Sequence, residues 1–252
     1  MKSDEIDGSK CYINKLPEDL LLIILDFNTK VELNEMKKVN RSMHELISMK
    51  RKKLIFAKRD IPFDIFKLFL THSPLLEELH FKVPNIIKSN DVFAIEQLNL
   101  VNLRVFDVTA LNNLTVKALI RFIRRCKNIS DIRINCGMNL SADIFYCLRE
   151  SRKLDSLSLN SPKILRGNDL EQTYKTLSVF SKHISHYKLK SLSIYELNGE
   201  ITTAYCNNPE VAESLENLSF STVSLKDGLD VLNDLVFFTN LKRLAICYHD
   251  RD

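Results

Sequence analysis

Leu154-Asp155-Ser156-Leu157-Ser158-Leu159, together with Leu189-Lys190-Ser191-Leu192-Ser193-Ile194 and Leu215-Glu216-Asn217-Leu218-Ser219-Phe220, decides how this chain folds. Each stretch is a hexad with apolar residues at positions one, four and six and polar residues at positions three and five. In a β-strand, four and six face one side of a sheet, and three and five face the other. The hexad recurs seven times, with first positions Leu76, Leu103, Ile129, Leu154, Leu189, Leu215 and Leu241. The successive intervals are 27, 26, 25, 35, 26 and 26 residues. Five agree within one residue, and the sixth is one period plus about nine residues, inserted around Ser161-Pro162-Lys163 to Thr173.

Between the hexads the apolar period changes from 2 to 3.6, as expected for a strand followed by a helix. From Thr115 to Cys126, Val116, Leu119, Ile120 and Ile123 form one apolar stripe, with Lys117, Arg121, Arg124 and Arg125 on the other side. Leu177, Phe180, Ile184 and Tyr187 repeat that spacing after the insertion, and Ser141 and Asp227 are placed to act as N-caps. The expectation is an α/β fold of about seven strand-helix repeats, with a parallel sheet on the concave face and helices outside. In outline this is a leucine-rich-repeat solenoid. It is similar to the cysteine-containing subclass of that family in its period of about 26 and in Cys126-Lys127-Asn128-Ile129, where a cysteine precedes the hexad.

Hexad positions three and five, with the next outward residue, line the expected concave face. At its centre and C-terminal half these are Asp131, Arg133, Ser156, Ser158, Ser191, Ser193, Tyr195, Asn217 and Ser219. Hydroxyls and amides there suit hydrogen bonding to the backbone of a bound protein, with Tyr195 as an amphipathic anchor. The same composition also suits strand positions that do nothing but meet water.

No hexad is found before Leu76, and residues 13–47 read as two helices. Pro17 fits a first helical turn, where its missing N–H costs nothing, and Glu18 and Asp19 complement the helix dipole. The helix that follows is apolar nearly all round, so it needs more than one neighbour to bury against. Leu16-Pro17, Ile24-Leu25, Leu33, Val39, Asn40-Arg41 and Leu46 resemble the F-box, a three-helix module of about 45 residues, with Met43 in place of its customary tryptophan. The organisation expected is a flexible tail over 1–10, an F-box-like helical domain over 11–59 and the repeats over 60–252.

The resemblance to F-box proteins with leucine-rich repeats implies a substrate-recognition subunit of a cullin-RING ubiquitin ligase. Leu16, Pro17, Leu20, Leu21, Ile24, Leu25, Leu33 and Val39 would then meet the Skp-type adaptor, and the repeats would hold an unidentified protein substrate. The alternative is a ligase-independent interaction scaffold whose N-terminal helices only cap the solenoid.

Composition narrows the rest. Only five glycines occur in 252 residues, against roughly eighteen at average usage. All are isolated, so no dinucleotide fingerprint, phosphate loop or nucleophile elbow can be written. A net charge of +4 from 36 basic and 32 acidic residues, with basic clusters at Lys50-Arg51-Lys52-Lys53 and Arg121 to Lys127, does not predict a nucleic-acid groove. The first of those clusters reads as the exposed end of the last F-box helix. The longest apolar run is far short of a membrane span, and Met1 to Glu5 is no secretory signal. The protein is therefore expected in the cytoplasm, the nucleus or both, with no membrane partner. Its six cysteines contain no C-x-x-C pair and read as free thiols used as small apolar residues. His183 and His186 lack further ligands at metal-binding spacing. The sequence thus predicts no catalytic residues, no metal and no cofactor.

Overall fold

A computed structural model of the chain describes residues 52–57, 67, 70–71, 73–82, 100–111, 114–138, 140–160, 168–222 and 235–248. All eight adaptor-contact candidates, Leu16 to Val39, and the proposed cap Asp227 lie outside the described residues.

The hexads become strands. These are β1 (Lys53–Phe56), β2 (Glu78–Phe81), β3 (Val105–Asp107), β4 (Asp131–Asn135), β5 (Ser156–Asn160), β6 (Ser191–Glu196), β7 (Asn217–Thr222) and β8 (Arg243–Tyr248). They pair in sequence order as one eight-stranded, wholly parallel sheet. Equivalent hexad positions sit side by side: Ile132 beside Leu157, Leu157 beside Leu192, Leu192 beside Leu218 and Leu218 beside Leu244.

The sheet holds one strand more than the seven hexads predict. Leu54 and Phe56 of β1 align with Leu79 and Phe81, so they take positions four and six. The corresponding first position is Arg51, and this charge in place of an apolar residue hides the repeat from a search on spacing. Lys53, read as the exposed end of a helix, is a strand residue instead. The sheet therefore starts seven residues ahead of position 60, inside the segment assigned to the helical domain. Phe56 stacks on Phe81 at 5.6 Å, and Phe81 meets Phe106 edge-on at 6.5 Å, which ties β1 to the strands that follow.

Helices fill the intervals from β3 to β7: α1 (Val116–Arg125), α2 (Ala142–Glu150), α3 (Asn168–Ser181), α4 (Gly199–Cys206) and α5 (Pro209–Ser214). Thr115 caps α1 by accepting from the Ala118 N–H, and Asn198 caps α4 by accepting from the Ile201 N–H. Ser141 occupies the N-cap position of α2, but its side chain makes no capping hydrogen bond. The buried side of α1 is Ala118, Leu119, Phe122 and Ile123, with Val116 and Ile120 at its margin. The stripe is thus rotated slightly from the one the spacing predicts, because Phe122 turns inward to stack on Phe106 at 4.3 Å.

From β1 to β7, positions four and six join the inward helix residues in one continuous core, in which Leu79, Ile132, Leu157, Leu192 and Leu218 are each 2% exposed or less, whereas Leu244 and Ile246 at those positions of β8 are exposed. Burying a side chain of this size contributes roughly 1.5–3 kcal/mol. The nine or so extra residues between β5 and β6 go into α3, a fourteen-residue helix. Buried Thr176 of α3 donates from Oγ1 to the Met138 carbonyl at 3.1 Å, and buried Thr173 donates to Cys136 Sγ at 3.7 Å. Tyr187, just past a 3₁₀ turn over Ile184–His186, donates its hydroxyl to the Phe145 carbonyl. Polar groups that would be costly to bury alone thereby seat the long helix against the neighbouring repeat.

Repeats are also linked outside the sheet. Asn102, Asn128 and Asn240 each stand immediately before a hexad. They donate from Nδ2 to the backbone carbonyls of Pro74, Val101 and Glu213, at 3.1, 2.6 and 2.8 Å. Each acceptor lies 27 or 28 residues earlier, at the equivalent place in the preceding repeat.

Candidate functional site

Because positions four and six face the core, positions three and five emerge on the other side of the sheet as two continuous rows. Row three runs Lys53, Glu78, Val105, Asp131, Ser156, Ser191, Asn217 and Arg243. Row five runs Ile55, His80, Asp107, Arg133, Ser158, Ser193, Ser219 and Ala245. Of the nine candidate binding residues, Asp131, Arg133, Ser156, Ser158, Ser191, Ser193, Asn217 and Ser219 fall on these rows. All eight are half-buried.

The ninth does not. Tyr195 is 4% exposed and belongs to the core cluster. The pairing of β6 with β7 slips by one residue between Ile194 and Glu196, so that Glu196 lies opposite Ser221. Such a bulge sends Ile194 and Tyr195 both into buried surroundings and breaks the alternation on which the anchor assignment rested. Glu196 takes the outward place and accepts a hydrogen bond from the Tyr174 hydroxyl of α3 at 2.8 Å.

The face has two chemical halves. Over β1 to β4 it is mostly charged and internally paired, with Ile55 and Val105 its apolar members. Asp107, 1% exposed, accepts from Lys82 Nζ at 2.6 Å and from His80 Nδ1 at 3.2 Å. Its other oxygen accepts from the Thr109 hydroxyl at 2.7 Å and the Thr109 N–H at 3.2 Å. Burial by itself would raise this carboxyl. Hydrogen bonds from Lys82, Thr109 and His80 outweigh burial and hold it below the usual carboxylate range. Glu78 is lowered too, by its hydrogen bonds from Lys53 and then His80, whose Nε2 lies 3.0 Å from it. Each His80 ring nitrogen thus faces a carboxylate, Nδ1 that of Asp107 on β3 and Nε2 that of Glu78 on its own strand, so the ring links β2 to β3. Next in the row, Arg133 grips Asp131 of its own strand through Nη2 at 2.6 Å and Nε at 3.2 Å, and this pairing raises the guanidinium further.

From β5 to β7 rows three and five are neutral. Asn160 donates to Ser158 Oγ at 3.2 Å and to Ser193 Oγ at 2.5 Å, and Ser156 donates to Asp131 at 3.2 Å. Hydroxyls can donate and accept by rotating, so this half can serve either kind of group on an extended chain laid across the strands. Neither a family model nor a curated protein sequence matches this chain. Its function therefore has to be argued from this geometry and from the residues themselves.

Among the described residues no group of three His, Cys, Asp or Glu side chains is arranged to hold a metal ion. His183 is 8% exposed and lies edge-on to Tyr146 at 4.7 Å, and burial first of all lowers its ring. Cys126, Cys136 and Cys147 are buried, and desolvation pushes their thiols up to about 12, 11 and 11. Cys247 departs from the apolar-filler reading, because it is exposed on β8. Among the described residues no helix is long and apolar enough to cross a membrane.

Sequence reasoning missed the His80–Asp107 pair, since adjacency across strands appears only when register is applied to row five. It also missed the asparagines ahead of the hexads, which recur in the sequence at 102, 128 and 240 and were there to be found.

Proposed function

We propose that this chain is the substrate-recognition subunit of an SCF-type cullin-RING ubiquitin ligase, built as an F-box followed by a leucine-rich-repeat solenoid. One observation carries the recognition half: a filled core on one side of a parallel sheet, and on the other a row of Ser156, Ser191 and Asn217 beside a row of Ser158, Ser193 and Ser219. The core makes no use of those side chains, and they offer both donors and acceptors to a bound polypeptide. The ion pair of Asp131 with Arg133 and the hydrogen-bonded His80 and Asp107 form the other end of the same surface.

The adaptor half is supported by Leu16-Pro17, the leucine helix, Leu33, Val39 and Asn40-Arg41 directly ahead of the repeats. The helical module has to end before Lys53, where the sheet begins. Its over-apolar first helix requires a partner surface, and the adaptor supplies one.

An affinity pull-down of the full chain, with bound proteins identified by mass, tests both halves. Leu16→Asp with Pro17→Ala should lose a Skp-type adaptor and keep the captured target. Ser158→Arg with Ser193→Arg should lose the target and keep the adaptor. Target capture with no adaptor from the intact chain would overturn the ligase reading in favour of a scaffold. Equal target capture by the Ser158/Ser193 variant would overturn the assignment of the face.

A further inference from the structure

At the end of the sheet where the strands begin, hexad position two forms its own row: Lys52, Glu77, Arg104, Ser130, Asp155, Lys190, Glu216 and Lys242. The backbone holds this row in register, each N–H from Glu77 onward donating to the position-two carbonyl of the strand before it. Signs alternate along most of the row. Ion pairs close between neighbouring repeats, Lys52 with Glu77 at 2.9 Å, Asp155 with Lys190 at 3.2 Å and Glu216 with Lys242 at 2.9 Å.

The rule fails at one place. Ser130 is neutral and stands between Arg104 and Asp155, so no acid follows Arg104 as Glu216 follows Lys190. In the next repeat the residue before the hexad changes from asparagine to Lys153, whose ammonium donates to the neutral Oδ1 of Asn128 at 2.6 Å. Lys127 follows α1 and Arg152 follows α2, both exposed. Among the described residues no carboxylate comes within 4.0 Å of Lys127, Arg152 or Lys153 in an ion pair. Positive charge therefore collects here beyond what the rest of the row tolerates.

Two hollows open at the same spot. One, of about 390 Å³, is lined by Asn102, Arg104, Asn128, Ser130, Lys153 and Asp155. The other, of about 410 Å³, shares Asn128 and Lys153 and adds Arg124, Lys127 and Arg152. Glu150 also borders it, already paired to Arg124 at 3.5 Å.

We propose that this double hollow docks a short acidic segment of a partner protein, its carboxylates meeting Arg104, Lys127, Arg152 and Lys153. The basic groups span β3 to β5, two strand spacings or roughly 10 Å, which matches about three residues of extended chain. Charge complementarity steers such a segment and fixes its register. None of the lining residues is aromatic, so nucleic-acid bases would find nothing to stack on, and a peptide is the better match. The surface lies apart from rows three and five and does not depend on the ligase reading.

Fluorescence anisotropy of the full chain with a labelled hexapeptide of alternating Asp and Glu tests the proposal, with an oligouridylate of equal charge as comparison. The peptide should bind and should weaken as salt is raised. Lys127→Glu with Lys153→Glu should weaken binding by about tenfold or more. The same charge change at exposed sites elsewhere, Lys117→Glu with Lys182→Glu, should cost less than about twofold. Ser130→Asp, which sets a carboxylate beside Arg104, should weaken binding severalfold and carries the test if the double reversal does not fold. No peptide binding, equal loss in both double variants with none in Ser130→Asp, or tighter binding of the oligouridylate would overturn the proposal.

Discussion

Replacing Asp107 by asparagine removes a charge from the most buried polar cluster on the sheet face while preserving its shape. Two of the four hydrogen bonds that reach the carboxylate come from the ionisable side chains of Lys82 and His80. Asparagine offers one acceptor oxygen in place of two, and its NH2 meets either the Lys82 and His80 pair or the Thr109 pair, so two bonds to a charged acceptor are lost, about 1.5–3 kcal/mol each. Lys82 is 48% exposed, so solvent screens part of its share. The net expectation is a loss of about 3 kcal/mol at neutral pH.

Urea unfolding followed by circular dichroism should therefore show a lower midpoint for Asp107→Asn with an unchanged slope. The pH dependence has a definite sign. The folded carboxyl is held below its unfolded value of about 3.9, so its contribution is complete above that value and is lost as pH falls through the folded one. The gap between wild type and variant should narrow progressively below about pH 4. Equal midpoints at pH 7, or a gap that widens in acid, would refute the reasoning.

Other consequences follow from single contacts. Asn128→Ala removes the bond to the Val101 carbonyl and releases Lys153, and should cost about 1 kcal/mol in the same denaturation assay. Tyr195→Ser should act through stability, with a loss of roughly 3 kcal/mol from an emptied core site, and should leave target capture by the folded fraction intact. In thiol alkylation read by mass spectrometry, Cys247 should react in the folded protein well before Cys126, Cys136 and Cys147. Burial holds those three thiols at about 12, 11 and 11 and denies them both access and thiolate.

The spacing of leucines carried most of the sheet, because a parallel strand buried on one face needs apolar residues at two alternating positions, and that need is visible in one repeat at a time. Ile132, Leu157, Leu192 and Leu218 stand in one row as the intervals require. Two features escaped for opposite reasons. β1 escaped because Arg51 replaces one apolar residue in an otherwise regular hexad. Tyr195 was misplaced because a bulge shifts register by one, and a strict alternation cannot foresee an extra residue. In the insertion, Leu177 and Phe180 revealed only the C-terminal half of α3, since its other buried residues, Thr173, Thr176 and Ser181, are polar and read as surface. The candidate face was legible wherever a row is made of serine and asparagine. His80 and Asp107 stand on that face as the spacing requires, but their burial was not legible, because it arises from pairing between residues 27 positions apart.

The most direct test of the ligase reading is size-exclusion chromatography with light scattering on the full chain mixed with purified Skp-type adaptor. A one-to-one complex is predicted. It should be abolished by Leu16→Asp with Pro17→Ala, with the melting of the repeats unchanged. An intact, folded chain that elutes apart from the adaptor at every concentration tried would contradict the account.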